Sequence, residues 1–146
     1  YGAMQQLGLW KYVKKTYASE PYYNDIKSDY EVRPQYYAYS LLTRFIRPGA
    51  EIYPIATPEE WYAGTAVRNT NGKWVYVFAN GMDQEKTISL INQHTQTKGN
   101  YQVYRYIKDG LPTTDQMLAP DAQPLKVNDK ILCLLPAHSV IVLKQE

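Results

Sequence analysis

The feature that most constrains the fold of this chain is a change of hydrophobic period at Gly49. After that residue, apolar side chains recur at every second position in short runs separated by turn-forming residues, a pattern typical of β-strands. The pattern predicts seven strands: Glu51–Ala56, Trp61–Arg68, Lys73–Ala79, Lys86–Ile91, Tyr101–Ile107, Lys130–Leu135 and Val140–Leu143. Short strands at this spacing indicate a mainly-β fold, a sandwich or a barrel, and we expect an antiparallel β-sandwich.

Two of the runs are joined by Asn69-Thr70-Asn71-Gly72. The Asn-Gly pair tolerates positive φ, so the two runs are expected to form a β-hairpin. In the second run both alternating sets of side chains are apolar, which predicts a central strand covered on both faces. Pro54 has no backbone N–H to donate to a neighbouring strand, so it predicts that the first strand lies at an edge or carries a bulge.

A helix is predicted before the strands. Pro34 suits a first helical position, and Ala38, Leu41, Leu42 and Phe45 follow at the spacing of one apolar helix face, up to the stop at Pro48-Gly49. Leu9–Tyr17 has the spacing of a second short helix, and Ala18–Arg33 is predicted to be a loop. We therefore divide the chain into an N-terminal loop and helical segment, 1–48, and a β-sandwich domain, 49–146.

Composition excludes several functional classes. The formal net charge of +2 gives no reason to expect nucleic acid or an anionic membrane as a partner, and no run approaches the ~18 apolar residues of a membrane span. The single cysteine, Cys133, lies in an apolar run and is expected to be a buried small hydrophobe. The aromatic content is unusual, with 15 Tyr and 3 Trp against 2 Phe, and it suits strands, interfaces and sugar-binding surfaces alike.

No catalytic, metal or cofactor motif is apparent. His94 and His138 lie in turn-like settings without neighbouring ligand residues. Carboxylates occur as the adjacent pair Glu59-Glu60 and, before the helix, as Asp25, Asp29 and Glu31. A glycosidase needs two carboxylates ~5–10 Å apart across the scissile bond, and none of these residues lies in such a context. We expect no catalytic residue, no metal ligand and no cofactor site.

The candidate binding residues are aromatic. Trp10, Tyr12, Tyr22 and Tyr23 lie in the irregular N-terminal part, where a rigid ring can offer a flat face to a sugar, so we mark them as candidate carbohydrate-binding residues. The alternative, which we favour, is that they fill an interface with a neighbouring domain, because Tyr and Trp are enriched there.

The stretch Arg33-Pro34-Gln35-Tyr36-Tyr37-Ala38-Tyr39-Ser40-Leu41-Leu42-Thr43-Arg44-Phe45-Ile46-Arg47-Pro48-Gly49-Ala50 resembles the last barrel helix of (β/α)₈ glycoside hydrolases. It is most similar to those in which this helix leads directly into a C-terminal β-sandwich. The strand Trp74–Asn80 and the ending Leu134-Leu135-Pro136-Ala137-His138-Ser139-Val140 also fit that pattern, with Ala137 in place of a second Pro. The likeness covers residues 33–146, and residues 1–32 match no part of it.

The resemblance implies a glycoside hydrolase parent that is secreted, periplasmic or at the cell surface. In such enzymes both catalytic carboxylates lie on barrel strands that would precede residue 1, so the partner of this region would be the catalytic barrel of the same chain. It also implies that the apolar face of the helix packs on that barrel. Three hypotheses follow: an accessory domain that flanks and stabilises the barrel, an independent carbohydrate-binding module, or an enzyme fragment whose N-terminal loop lines the active site. The first is preferred, because the helix and the long loop suit a free-standing module poorly.

Overall fold

A computed structural model describes residues 10–12, 30–57, 62–91, 95–111 and 117–146, with the backbone alone described at 10–12, 30, 31 and 95. In chain order the strands are β1 (Trp10–Tyr12), β2 (Tyr30–Val32), β3 (Glu51–Ile55), β4 (Tyr62–Arg68), β5 (Trp74–Asn80), β6 (Lys86–Ile91), β7 (Gly99–Ile107), β8 (Leu125–Val127), β9 (Lys130–Leu135) and β10 (Ser139–Gln145). One α-helix, α1 (Pro34–Phe45), lies between β2 and β3, and a short 3₁₀ turn covers Thr95–Thr97.

The main element is a six-stranded antiparallel sheet with the order β3-β4-β5-β10-β7-β8. Its centre is β10, which pairs with β5 on one side and β7 on the other, with Val142 opposite both Val77 and Tyr104. Strands β6 and β9 form a separate antiparallel pair in which Ile88 lies opposite Cys133. A further short pair joins β1 to β2.

The six-stranded sheet is covered on both faces. On one face it packs against the β6–β9 pair, and the core between the two sheets contains the large buried side chains Tyr76, Phe78, Tyr101, Ile131, Leu135, Ile141 and Leu143. On the other face it packs against α1, through Tyr37, Leu41, Phe45, Val67, Val75, Tyr104 and Val142. The strands β4, β5, β7 and β10 therefore contribute residues from their two faces to two different cores, as the period of two requires.

The mainly-β antiparallel prediction is confirmed. Trp74, Tyr76 and Phe78 belong to the inter-sheet core and Val75 and Val77 to the helix-side core, so β5 is a covered central strand as expected. The Asn69–Gly72 hairpin also forms, with Gly72 at φ 78°. Pro54 lies in β3, which pairs only with β4 and is an edge strand.

Three expectations were wrong. Trp10–Tyr12 is a strand instead of part of a helix over Leu9–Tyr17, and Tyr30–Val32 is a strand within the predicted loop. Both are three residues long and stabilise each other by pairing, which no local periodicity reports. The strand Leu125–Val127 was not predicted either, because three residues are too few to show a period.

The remaining wrong expectation, after the helix over Leu9–Tyr17 and the loop over Ala18–Arg33, concerns the apolar face of α1. Leu41 and Phe45 were expected to pack on an absent barrel, but they are buried against this chain's own sheet. The face also includes Tyr37, one turn before Leu41, so the buried stripe runs through Tyr37, Leu41 and Phe45 while Leu42 is half-buried. Within the described part of the chain, no helix has the length and apolar character needed to cross a membrane.

Candidate interaction surfaces

The outer side of α1 borders a groove of about 350 Å³. Its lining combines apolar, hydroxyl and cationic side chains: Tyr36, Tyr39, Ser40, Thr43, Arg44, Arg47 and Met117. Tyr39 and Met117 are the exposed apolar members, with 56% and 59% of their surface accessible. Exposed aromatic and thioether side chains that line one groove are typical of a surface that another protein surface covers.

Arg44 fixes the shape of this groove. Its guanidinium donates to the carbonyl oxygen of Leu118 at 3.1 Å and lies over the rings of Phe45 (5.0 Å) and Tyr104 (5.2 Å). These contacts attach the segment after residue 117 to the last turn of α1, so Met117 is held beside the helix. The two rings and the backbone carbonyl hold the guanidinium in place, since each of these partners interacts favourably with a positive charge.

Beyond Arg44 the surface becomes basic. A cleft of about 300 Å³ between the end of α1 and the sheet is lined by Arg44, Arg47, Lys73 and Lys144, with Glu146 as its acidic side chain. Two of the cations are engaged locally: Lys73 Nζ donates to the carbonyl oxygen of Glu146 at 2.5 Å, and Lys144 Nζ lies 3.4 Å from Gln102 Oε1. The cleft is therefore a basic extension of the groove along α1.

A second, apolar cleft of about 210 Å³ opens between the edge of the six-stranded sheet and β6. Its lining includes the large apolar side chains of Ile55, Phe78, Ile88, Leu90 and Leu135. Lys86 lies at its mouth, with the ammonium 4.7 Å from the centre of the Tyr62 ring. In the described chain, β3 and β6 each pair on one side only, so this cleft is the open side of the sandwich.

On the same side of the sandwich, Tyr53 projects from β3. Its ring centroid lies 5.5 Å from that of Trp74 at an interplanar angle of 35°, and its hydroxyl donates to Glu51 Oε2 at 2.7 Å. The hydrogen bond to Glu51 raises the pKa of Tyr53 above its usual value, so the phenol stays protonated. Trp74 is buried beneath it, and its indole N–H has no partner among the described residues.

Of the titratable side chains singled out in the sequence, the structure describes those of His138 and Cys133. His138 Nε2 lies 2.7 Å from Asp83 Oδ1, and Asp83 is almost fully exposed, so the pair is a surface contact. Cys133 is buried as expected, and its burial raises the pKa of the thiol, which makes it a poor nucleophile. The residues with a described placement include no group of three or more His, Cys, Asp or Glu that could hold a metal.

The predicted carbohydrate-binding residues remain predictions. Trp10 and Tyr12 lie in β1, where only the backbone is described, and Tyr22 and Tyr23 lie outside the described residues, as do Asp25, Asp29, Glu59, Glu60 and His94. The sequence analysis did not mark Tyr53 as a candidate, because the candidates came from the irregular N-terminal part of the chain. The signal that would have found it is its neighbour Pro54, which marks an edge strand and therefore a partly open face.

Comparison with solved structures gives a consistent set of matches. A GH30 endoxylanase from Clostridium papyrosolvens C71 matches with a TM-score of 0.63 at 21% identity, over 79% of this chain and 28% of the xylanase. The catalytic domain of GH30 xylanase C from Talaromyces cellulolyticus gives 0.63 at 21%, over 81% and 25%. A GH30 subfamily 8 xylanase from Clostridium acetobutylicum gives 0.62 at 20%, over 78% and 28%. No family model matches the chain, and no curated protein does.

These matches show a shared fold. The chain spans about a quarter of the length of the xylanases, while about four-fifths of the chain is covered. The shared fold agrees with the expectation that the sequence resemblance of residues 33–146 to glycoside hydrolases gave.

Proposed function

We propose that this chain is a non-catalytic accessory region of a glycoside hydrolase, which flanks and stabilises a catalytic (β/α)₈ barrel. The observation that carries the proposal is the unequal coverage: most of this chain matches about a quarter of each xylanase. The remaining three-quarters of a protein of that kind would include the barrel and both catalytic carboxylates. Export from the cytoplasm is part of the same proposal, since the polysaccharides that such enzymes hydrolyse are extracellular.

We place the contact with the barrel on the outer side of α1. The inner side of the helix is buried by this chain's own sheet, so the surface left for another domain is the groove with Tyr39 and Met117. Its composition supports a protein partner: two exposed apolar side chains at the centre and the cations Arg44 and Arg47 at one end. The domain boundary near residues 48 and 49 remains a prediction. In the structure, α1 and the six-stranded sheet share one core across that position.

An independent carbohydrate-binding module is the second candidate. One observation favours it: Tyr53 is an exposed aromatic ring on the opposite side of the sheet from α1, with charged groups beside it. The two candidates differ in what they require. An accessory region needs the outer side of α1 to be covered by another domain, whereas a free-standing module does not.

The test compares the chain alone with the longer protein encoded together with its upstream sequence. In each, Met117→Asp places a carboxylate in the groove, and Leu132→Asp serves as a matched control at a similarly exposed apolar residue of β9. If the groove is covered by a barrel, Met117→Asp lowers the thermal midpoint of the longer protein by several degrees, because a carboxylate is taken out of water in place of an apolar thioether. The same substitution leaves the chain alone unchanged within about one degree.

The control variant and two contradicting outcomes complete the test of the proposed contact with a barrel. Leu132→Asp is expected to change both proteins equally and little. Equal effects of Met117→Asp on the chain alone and on the longer protein would contradict the proposed contact, and an upstream sequence that does not fold as a barrel would contradict the accessory role.

A further inference from the structure

The outer edge of the six-stranded sheet carries an exposed aromatic ring, that of Tyr53, on the face opposite α1. In β4 the residues that face this side include the small Gly64 and Ala66, opposite Ile55 and Tyr53 of β3. Because Ala66 leaves space above the sheet, the ring of Tyr53 reaches across β4 to Trp74 of β5. A larger residue at 66 would separate the two rings.

The ring of Tyr53 is both exposed and fixed. Trp74 covers one side of it, and 44% of the Tyr53 surface remains accessible, so the open surface lies on the other side. The hydroxyl is held by Glu51, which restricts rotation about the side chain. A rigid ring with one open face loses little conformational entropy when a ligand stacks on it.

The groups beside the ring are polar and balanced in charge. Glu51 and Arg68 lie opposite each other in the register, on the same face as Tyr53, with Arg68 Nη1 3.6 Å from Glu51 Oε2. That distance is longer than a hydrogen bond, so the pair leaves donors on the guanidinium available. The Arg68 side chain is 43% exposed and that of Glu51 is 57% exposed, which places both within reach of a ligand on the ring.

We propose that Tyr53, Glu51 and Arg68 form a glycan-binding site for an uncharged polysaccharide chain. The C–H face of a sugar ring stacks on the aromatic ring, whose π face is electron-rich, while sugar hydroxyls accept from Arg68 and donate to Glu51. An uncharged ligand is the best match, because the one carboxylate and the one guanidinium cancel and no net charge attracts an ionic group.

The neighbouring cleft provides an extension of this site. Ile55 follows Tyr53 on the same face of β3, about 7 Å further along the strand, and lines the apolar cleft that ends at Tyr62 and Lys86. A chain of several sugars on Tyr53 can therefore continue along the open side of the sandwich. The site lies on the opposite face of the sheet from the groove of α1, so it is independent of the proposed contact with a barrel.

The test is affinity electrophoresis of the chain through gels that contain soluble xylan, β-glucan or galactomannan. We expect one of these polysaccharides to retard the chain, and Tyr53→Ala to weaken the retardation by about tenfold, the effect of removing one aromatic anchor. Tyr39→Ala, which removes another exposed tyrosine (56% accessible against 44% for Tyr53) from the outer side of α1, is the matched control and keeps full retardation. Thermal unfolding of each variant confirms that it is folded.

Two further variants separate stacking from other effects. Tyr53→Phe keeps the ring and retains most of the binding, whereas Glu51→Gln with Arg68→Gln weakens it while the ring remains. Retention of full binding by Tyr53→Ala, or no retardation of the unmodified chain by any of the three polysaccharides, would overturn the proposal. Retardation by a polyanionic glycan alone, abolished by high salt, would also overturn it, since that is the behaviour of the basic cleft at Arg47.

Discussion

The side-chain amide of Asn69 donates a hydrogen bond to the carbonyl oxygen of Phe45 at 2.9 Å, while its oxygen accepts from the backbone N–H of Arg47 at 3.0 Å. Asn69 lies at the start of the β4–β5 turn, and Phe45 is the last residue of α1. One buried side chain therefore satisfies two backbone groups that the end of the helix leaves open, and it attaches α1 to the sheet.

Asn69→Ala should lower the free energy of unfolding by about 1–3 kcal/mol, because it leaves the carbonyl of Phe45 and the N–H of Arg47 without their partner. The measurement is urea unfolding followed by fluorescence. Asn100→Ala, a change of the same type at an exposed strand position, is the control and should cost less than about 0.5 kcal/mol. Equal effects would mean that the contact does not stabilise the end of the helix.

Asn80→Asp should be destabilising in a pH-dependent way. The Asn80 amide nitrogen donates to the carbonyl oxygens of Gln84, Leu135 and Pro136 at 2.8–3.1 Å, and the side chain is buried. A carboxylate there would face three acceptors, so its folded-state pKa would rise above the value of about 3.9 in the unfolded chain.

The sign of that pH dependence follows from linkage. Since the folded state would hold the proton more tightly, the variant's stability relative to the unmodified chain falls as the pH rises above about 4. We expect a loss of about 3–5 kcal/mol at neutral pH and a smaller loss at about pH 4, measured as the difference in thermal midpoint. Asn71→Asp in the exposed turn is the control, and a loss independent of pH would contradict the prediction.

Gly64→Ala tests the close packing of Ile55 (β3) and Phe78 (β5) over Gly64 of β4, the strand between them. An added Cβ would lie 3.2 Å from Ile55 Cβ and 3.3 Å from Phe78 Cδ1, so one neighbour must move. We expect a loss of about 1 kcal/mol or more in urea unfolding. Gly110→Ala meets atoms only at ordinary contact distances and should cost less, so a larger effect at Gly110 would be inconsistent with this packing.

Alkaline pH should destabilise the chain through Tyr101. Burial raises the pKa of Tyr101 well above the usual 10.0, and its hydroxyl donates to the carbonyl oxygen of Thr97 at 2.8 Å. Above pH 10 the unfolded chain releases this proton and the folded chain keeps it, so the free energy of unfolding falls with rising pH, by at most ~1.4 kcal/mol per pH unit from this group.

The measurement is the urea midpoint between about pH 9 and about pH 11, the range that spans the unfolded pKa. Tyr101→Phe should start about 1 kcal/mol less stable, because it lacks the hydrogen bond, but should show a shallower decline. An unchanged slope in that variant would assign the alkaline transition to other groups.

The strands of five or more residues were predicted from the sequence, because the two faces of a strand have different surroundings and their side chains alternate between them. Trp74–Asn80 is the clearest case: both of its faces are apolar, and both are covered. The three-residue strands were not, since β1, β2 and β8 exist through pairing with a partner strand that no local pattern specifies.

The surfaces were harder to predict than the fold. Tyr53 and Tyr76 are both tyrosines in strands, and the sequence distinguishes the exposed one from the buried one only through Pro54, which marks an edge strand. Their exposure itself depends on the order of strands in the sheet. The helix face shows the same limit. Its apolar stripe was identified, but the element that covers it was not, because periodicity specifies a buried face and not its partner.

The most direct test of the accessory role is an assay of hydrolysis on soluble xylan, β-glucan and mannan, for the chain alone and for the longer protein encoded with its upstream sequence. The proposed role predicts that the longer protein releases reducing sugar from one of these substrates and that the chain alone releases none. Release of reducing sugar by the chain alone would contradict the proposal, and so would a folded longer protein that hydrolyses none of the three.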